Sequence, residues 1–166
     1  MREFQRQLVE RAQHARSGNN SEQMRLAVQA GDQQLLLDIA HAAEVIPYEG
    51  VKRVPHTVAW FLGLINCRGR INGVMDFSGF MGHPLKPLQD SDRLLVLSDA
   101  LAVPCALRVS RVTGLVNLSD FSLQSRPAGE PHWVRSVFFD RESCAWRLLD
   151  LPRLMDDPKF LDVVAR

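Results

Sequence analysis

Apolar residues recur along this chain in short runs with a period of two, broken every ten residues or so by glycine, proline or charged turns. Arg25-Leu26-Ala27-Val28-Gln29-Ala30, the Gly31-Asp32 turn and Gln34 to Ala40 predict a β-hairpin, with His41 to Ile46 continuing extended towards Pro47. Arg93-Leu94-Leu95-Val96-Leu97 is apolar throughout after its arginine, as expected of a strand buried on both faces. Val103, Cys105, Leu107 and Val109 form one alternating face, with Pro104 near the strand start, and Val112 to Leu118 is apolar enough to pack. Trp133 to Phe139 and Cys144 to Leu151, joined by Asp140-Arg141-Glu142-Ser143, predict a last hairpin, and Ser119 to Pro131 a polar loop. Three segments predict helix: Thr57 to Gly63 after Pro55, with Thr57 as cap; one turn over Ser78 to Met81; and a C-terminal helix from Pro152 carrying Leu154, Met155, Phe160, Leu161 and Val164. At least eight strand-like runs point to barrels or a sandwich, and no repeat of solenoid period is present.

Between Trp60 to Ile65 and Ile71 to Phe77 lies the one cluster in which Asn66, Arg68, Gly69 and Arg70 interrupt apolar sequence. Arginines are almost never buried unpaired, so this turn belongs at the surface and is the candidate site. Ile71, Gly73, Met75 and Phe77 alternate with Asn72, Val74 and Asp76 as a strand would, although Asn72-Gly73 reads nearly as well as a hairpin turn. Phe4, Leu8, Ala12 and Ala15 give Met1 to Arg16 a weak amphipathic pattern, that of a loosely docked terminal helix or of a partner-binding one.

Composition narrows the class. The 166 residues suffice for one large domain or two small intertwined ones, and folding at this size removes roughly 70% of the extended chain's surface from water. A net charge of +1, from 20 basic and 19 acidic side chains, offers no field of one sign and argues against a nucleic-acid partner. The first residues lack a signal peptide's apolar core, and no apolar run approaches the ~20 residues of a membrane span, so a cytoplasmic protein without direct membrane insertion is expected. Cys67, Cys105 and Cys144 show no CxxC pattern and suit reduced core thiols.

The chemistry search yields no catalytic residue. His14, His41, His56, His83 and His132 are scattered and none sits at metal spacing, so neither metal nor cofactor is expected. Ser78 lacks the first glycine of GxSxG, and Arg70 stands where a phosphate loop needs lysine. Cys67 beside Arg68 has two readings, an activated thiol or a small strand-edge residue; without a neighbouring histidine base the second is preferred.

Glu44-Val45-Ile46, Val54-Pro55, Gly63-Leu64-Ile65-Asn66-Cys67-Arg68-Gly69 and Val74-Met75-Asp76-Phe77, in that order and at those spacings, resemble the signature of the CheW family of chemotaxis coupling proteins. The likeness extends more weakly over Leu94 to Leu118 and Leu148 to Leu151. It departs at Gly73, where proline is usual, at Cys67, where leucine is common, and at Ser110, where aspartate is usual. The N-terminal extension and the wording around Trp60 and Cys67 are most similar to the adaptor type of the twitching-motility, type IV pilus chemosensory pathway.

The resemblance implies a mainly β fold of two small five-stranded, SH3-like β-barrels sharing a hydrophobic core, with short helices at the termini. It divides the chain into an N-terminal extension (1–22), a CheW-like domain (23–155) and a helical tail (156–166). It implies a non-catalytic adaptor that bridges the cytoplasmic tip of a methyl-accepting chemoreceptor to the regulatory domain of a CheA-type histidine kinase, recruited to membrane receptor arrays. The partner-binding residues carried over are Arg68, Asn66, Gly69, Gly63, Val54 and Glu44. Arg68 suits an interface, its planar fork holding a carboxylate or carbonyls; the competing role is to cap carbonyls of its own turn. A small-ligand β-barrel is the second reading, disfavoured by the bulky apolar positions, and an enzyme the third.

Overall fold

The computed structural model describes residues 21–124 and 126–166; the expected helix over Met1 to Arg16 lies outside them. Eleven strands form two sheets among the described residues. β1 (Met24–Ala30) and β2 (Gln33–Asp38) make the first hairpin, turning at Gly31-Asp32. They join β8 (Arg111–Asn117), β9 (Ser122–Gln124), β10 (Val134–Phe139) and β11 (Ala145–Leu149) in a sheet of order β8-β1-β2-β11-β10-β9. The middle of the chain supplies β3 (Ala42–Pro47), β4 (Phe61–Cys67), β5 (Arg70–Asp76), β6 (Arg93–Leu97) and β7 (Cys105–Val109), in the order β3-β6-β7-β5-β4. The first unit is thus completed by both ends of the described chain, and the second is inserted between them. It has six strands where five were expected, because the stretch read as a polar loop from Ser119 to Pro131 contains the short strand β9 paired to β10.

Three apolar clusters explain why several strands are buried on both faces. Ala27, Leu36, Phe138, Trp146 and Leu148 fill the first barrel. Ile65, Val74, Leu94, Val96 and Ala106 fill the second. The residues between them, Leu26, Val28, Leu35, Leu37, Met75, Leu95, Leu97, Cys105, Leu107 and Val109 among others, belong to a third cluster shared by both units. Successive side chains of β6 therefore point alternately into a barrel and into the shared core, and neither face meets water.

The helical content is small. α1 (Phe77–Phe80) is one turn, capped by Asp76, whose Oδ1 accepts from Gly79 N at 2.9 Å. α2 (Leu151–Met155) and α3 (Pro158–Leu161) carry Asp150 and Asp157 as caps and seat Leu154, Met155 and Phe160 in the shared core. The expected C-terminal helix is therefore two short pieces, after which the chain runs extended: Val164 bridges Thr57, and Val58 N donates to Val163 O at 2.8 Å.

The helix expected from Thr57 to Gly63 is not formed. Thr57 Oγ1 donates to Val54 O at 2.9 Å instead of capping, and Phe61 to Cys67 is strand β4. Val58, Trp60 and Phe61 are β-branched or aromatic residues that favour strands, and β4 pairs along its length with β5, from Phe61 opposite Met75 to Cys67 opposite Arg70. Asn72-Gly73 lies within β5, so the turn of this hairpin is Arg68-Gly69.

Candidate functional site

Cys67 and Arg70 pair across the β4–β5 hairpin, leaving Arg68 and Gly69 as a two-residue loop with φ of 53° and 79°. Two successive positive φ values define the type I′ turn whose twist matches that of the flanking strands. Glycine takes this conformation freely, and a Cβ on Gly69 would touch nothing within 4 Å. Arg68 does not: a left-handed non-glycine residue costs on the order of 1 kcal/mol, held by its surroundings.

The strands supply that hold. Glu44 on β3 reaches the turn, and Arg68 Nε lies 3.2 Å from its Oε2, with 66% of the arginine side chain exposed but only 16% of the glutamate's. Cys67 Sγ is 3.7 Å from the same oxygen. β3 and β4 are the two ends of the sheet order, so this contact draws the sheet's edges together at one mouth of the second barrel. Burial raises the Cys67 thiol above its ordinary range, the Glu44 carboxylate raises it further, and Arg68 opposes both more weakly. Cys67 is accordingly a protonated packing residue, not an activated nucleophile.

Of the six residues expected to bind a partner, Arg68 and Glu44 form the ion pair, Gly69 completes the turn, and Asn66 is exposed beside it, opposite Ile71. Arg68 pairs across the barrel mouth, not with carbonyls of its own turn. Gly63 and Val54 serve the flanking segment. At Gly63, φ is +141° and an added Cβ would lie 2.2 Å from Lys52 O, so the missing side chain lets residues 51–53 pair with β4 through Lys52 and Leu64. Leu64 and Ile71, 38% and 53% exposed, add apolar surface on the outer face of the same hairpin. Arg70 leaves this group to pair with Asp99.

A second arginine, missed in the sequence, occupies the opposite end of the same barrel. The alternation that sends Ala106 into the barrel sends Arg108 the same way, level with Asp76 on β5. Arg108 Nη1 lies 3.0 Å from Asp76 Oδ2; its Nε and Nη2 donate to Asp92 Oδ2 at 3.1 and 2.7 Å. Its remaining donors reach Lys86 O and Pro87 O, both at 2.9 Å. All three charged side chains are at least nine-tenths buried. The signal for it was an arginine at an inward position of an apolar strand, which needs buried counter-charges.

Beside this clamp, between the barrels, lies a cleft of about 300 Å³ lined by residues of both, including Gln29, Asp32, Ser78, Lys86 and Arg111. Among the described residues no group of three or more His, Cys, Asp or Glu is placed to hold a metal, and no helix is long and apolar enough to cross a membrane.

Two β-barrels thus share one core, and the second displays an arginine on a tight turn. The chain belongs to the CheW-like domain family, whose model matches residues 25–159. It is 29% identical over 137 residues to Protein PilI of Pseudomonas aeruginosa, covering 80% of this chain and 75% of that one. It is 27% identical over 103 residues to Chemotaxis protein CheW of Rhizobium meliloti, covering 61% of this chain and 65% of the relative. In fold it resembles the crystal structure of scaffolding protein TtCheW from Thermoanaerobacter tengcongensis, with a TM-score of 0.69, 16% identity, and coverage of 84% of this chain and 91% of that one. CheW-like proteins are non-catalytic scaffolding adaptors of chemosensory pathways, and this chain is one of them.

Proposed function

We propose that this adaptor couples the cytoplasmic tip of a methyl-accepting chemoreceptor to the regulatory domain of a CheA-type histidine kinase, in a pathway governing type IV pili and twitching motility. The coupling role follows the family in general, and the similarity to PilI supports the pilus pathway. On this reading the protein works in the cytoplasm and joins receptor arrays through its partners.

The observation that carries the reading is the Arg68 turn. A strained, largely exposed arginine is pre-positioned by Glu44 and stands on the hairpin whose outer face exposes Leu64, Asn66 and Ile71. A charged fork fixed beside apolar surface is the composition of an interface hot spot. Arg68→Ala should weaken binding to the receptor tip or to the kinase regulatory domain by about thirtyfold, or ~2 kcal/mol, while the free domain's stability changes by less than ~0.5 kcal/mol. Arg70→Ala, whose side chain is committed to Asp99, is the control and should bind as the parent does. Titration calorimetry with each purified partner, alongside thermal melts, measures both. If Arg68→Ala binds both partners with parental affinity, this turn is not the contact.

A further inference from the structure

We propose that the segment from His83 to Gln89, which crosses the cleft between the barrels, is a pre-formed docking element for a second class of partner: a protein with an aromatic-lined groove flanked by an acidic group. The proposal goes beyond the adaptor reading and concerns a different face of the molecule.

The segment reads His83-Pro84-Leu85-Lys86-Pro87-Leu88-Gln89, belongs to no helix or strand, and is exposed along its whole length. Its path is nevertheless fixed. The two prolines set their own φ and hold His83 and Lys86 extended. Arg108 grips the carbonyls of Lys86 and Pro87 from below. Lys86 Nζ is tied to Asp32 Oδ1 at 2.6 Å, and His83 Nε2 meets Gln33 Nε2 at 3.1 Å, so both side ties reach the first barrel. Prolines three apart, each followed by a leucine, match the three-residue period of a polyproline II helix. Leu85 is 41% exposed and leans on Gly79, while Leu88 is 55% exposed.

These features decide among occupants. A β-strand has no ladder to join, because Pro84 and Pro87 lack N–H groups and the carbonyls of Lys86 and Pro87 already accept from Arg108. A second copy of this chain lacks the matching surface: the large apolar side chains exposed among the described residues are leucine, isoleucine and valine, none aromatic. What remains is the recognition of rigid, proline-spaced apolar segments by aromatic rings, where the ordering cost is already met. Arg111, exposed on the same cleft and without an ion-pair partner among the described residues, supplies the complement for a carboxylate.

The test titrates the full-length, isotope-labelled chain with N-acetyl-tryptophan and, separately, with N-acetyl-tryptophanamide, followed by amide NMR shifts. Both probes should shift Leu85, Leu88 and Gln89 saturably, and the acid should bind about threefold more tightly, as one exposed ion pair allows. Leu88→Ser and the double variant Pro84→Ala/Pro87→Ala, all at exposed positions, should each weaken binding by about fivefold with the rest of the spectrum unchanged. Arg111→Ala should abolish the difference between acid and amide. Shifts spread equally over Ile71, Leu123 and Leu88, or an affinity indifferent to the proline and Leu88 substitutions, overturn the proposal. Equal binding of acid and amide to the parent overturns its acidic part.

Discussion

The second barrel is closed at each end by an arginine and carboxylates, and the two closures differ in almost everything else. At the hairpin end, Arg68 is 66% exposed, meets one carboxylate through Nε, and sits in a left-handed conformation. At the cleft end, Arg108 is 9% exposed, meets two carboxylates and two carbonyls, and lies in regular strand β7. An ion pair in water contributes little to folding, since screening and side-chain entropy consume most of its attraction. A buried one is hard to remove in part, because the partner left behind keeps its charge without its solvent. The same residue type is thus a contact group at one end and a structural clamp at the other, and exposure decides which.

The largest effect should come from separating the charges of the clamp. Arg108→Met leaves Asp76 and Asp92 facing each other without a cation and should cost about 3–5 kcal/mol of stability by urea unfolding. Replacing the carboxylates as well, Asp76→Asn and Asp92→Asn with Arg108→Met, should recover much of that loss, since an asparagine at position 76 can still cap α1. A single variant within ~1 kcal/mol of the parent would show that Arg108 does not carry these charges.

That clamp also marks where sequence reading stops. The β1–β2 hairpin, β6, β7 and the β10–β11 hairpin were legible because each is an apolar run of strand length bounded by turn residues. The partners of Arg108 lie 16 and 32 residues away on other elements, and only the fold places them together. Thr57 to Gly63 was misread for the opposite reason. Its apolar density and leading threonine fit a helix locally, and the pairing of β4 with β5 on one side and Lys52 on the other overrode that fit. β9 was hidden because three residues in a polar stretch carry no period of their own. At the candidate site the motif picked out Arg68 and Glu44, which the fold brings together as an ion pair, but it could not separate them from Gly63, which shares the motif for a packing reason.

The two glycines of that motif test the separation. Gly63→Ala brings a Cβ to 2.2 Å from a backbone oxygen at a φ of +141°, so β4 or its neighbour must move. Strain of this kind costs on the order of 1–3 kcal/mol before the clash is added. Gly69→Ala meets open space and bears only the left-handed penalty of about 1 kcal/mol. Thermal unfolding of the two should therefore rank Gly63→Ala well below Gly69→Ala. The reverse order would mean that residues 51–53 are not held against β4 as described.

The smallest effect is a rate, and it reports the electrostatics of the Arg68 turn directly. Cys67 titrates above its ordinary range because it is partly buried and faces Glu44, with Arg68 pulling the other way. A raised pKa keeps the thiol protonated, so at pH 8 the thiolate that attacks iodoacetamide is scarcer than on a free cysteine. Cys105, fully buried and raised by desolvation alone, should not react in the folded protein. Glu44→Gln removes the charge that disfavours the thiolate and leaves Arg68 unopposed, which should lower the Cys67 pKa and speed its alkylation by a factor of about two to five. Arg68→Ala takes away the cation instead and should slow the same reaction. Opposite changes from the two substitutions, followed by mass spectrometry of the Cys67 peptide, would show that Glu44 and Arg68 act on Cys67 as charges. A rate increased by both would mean that each merely opens the barrel mouth, and that the pair closes the barrel without setting a field within it.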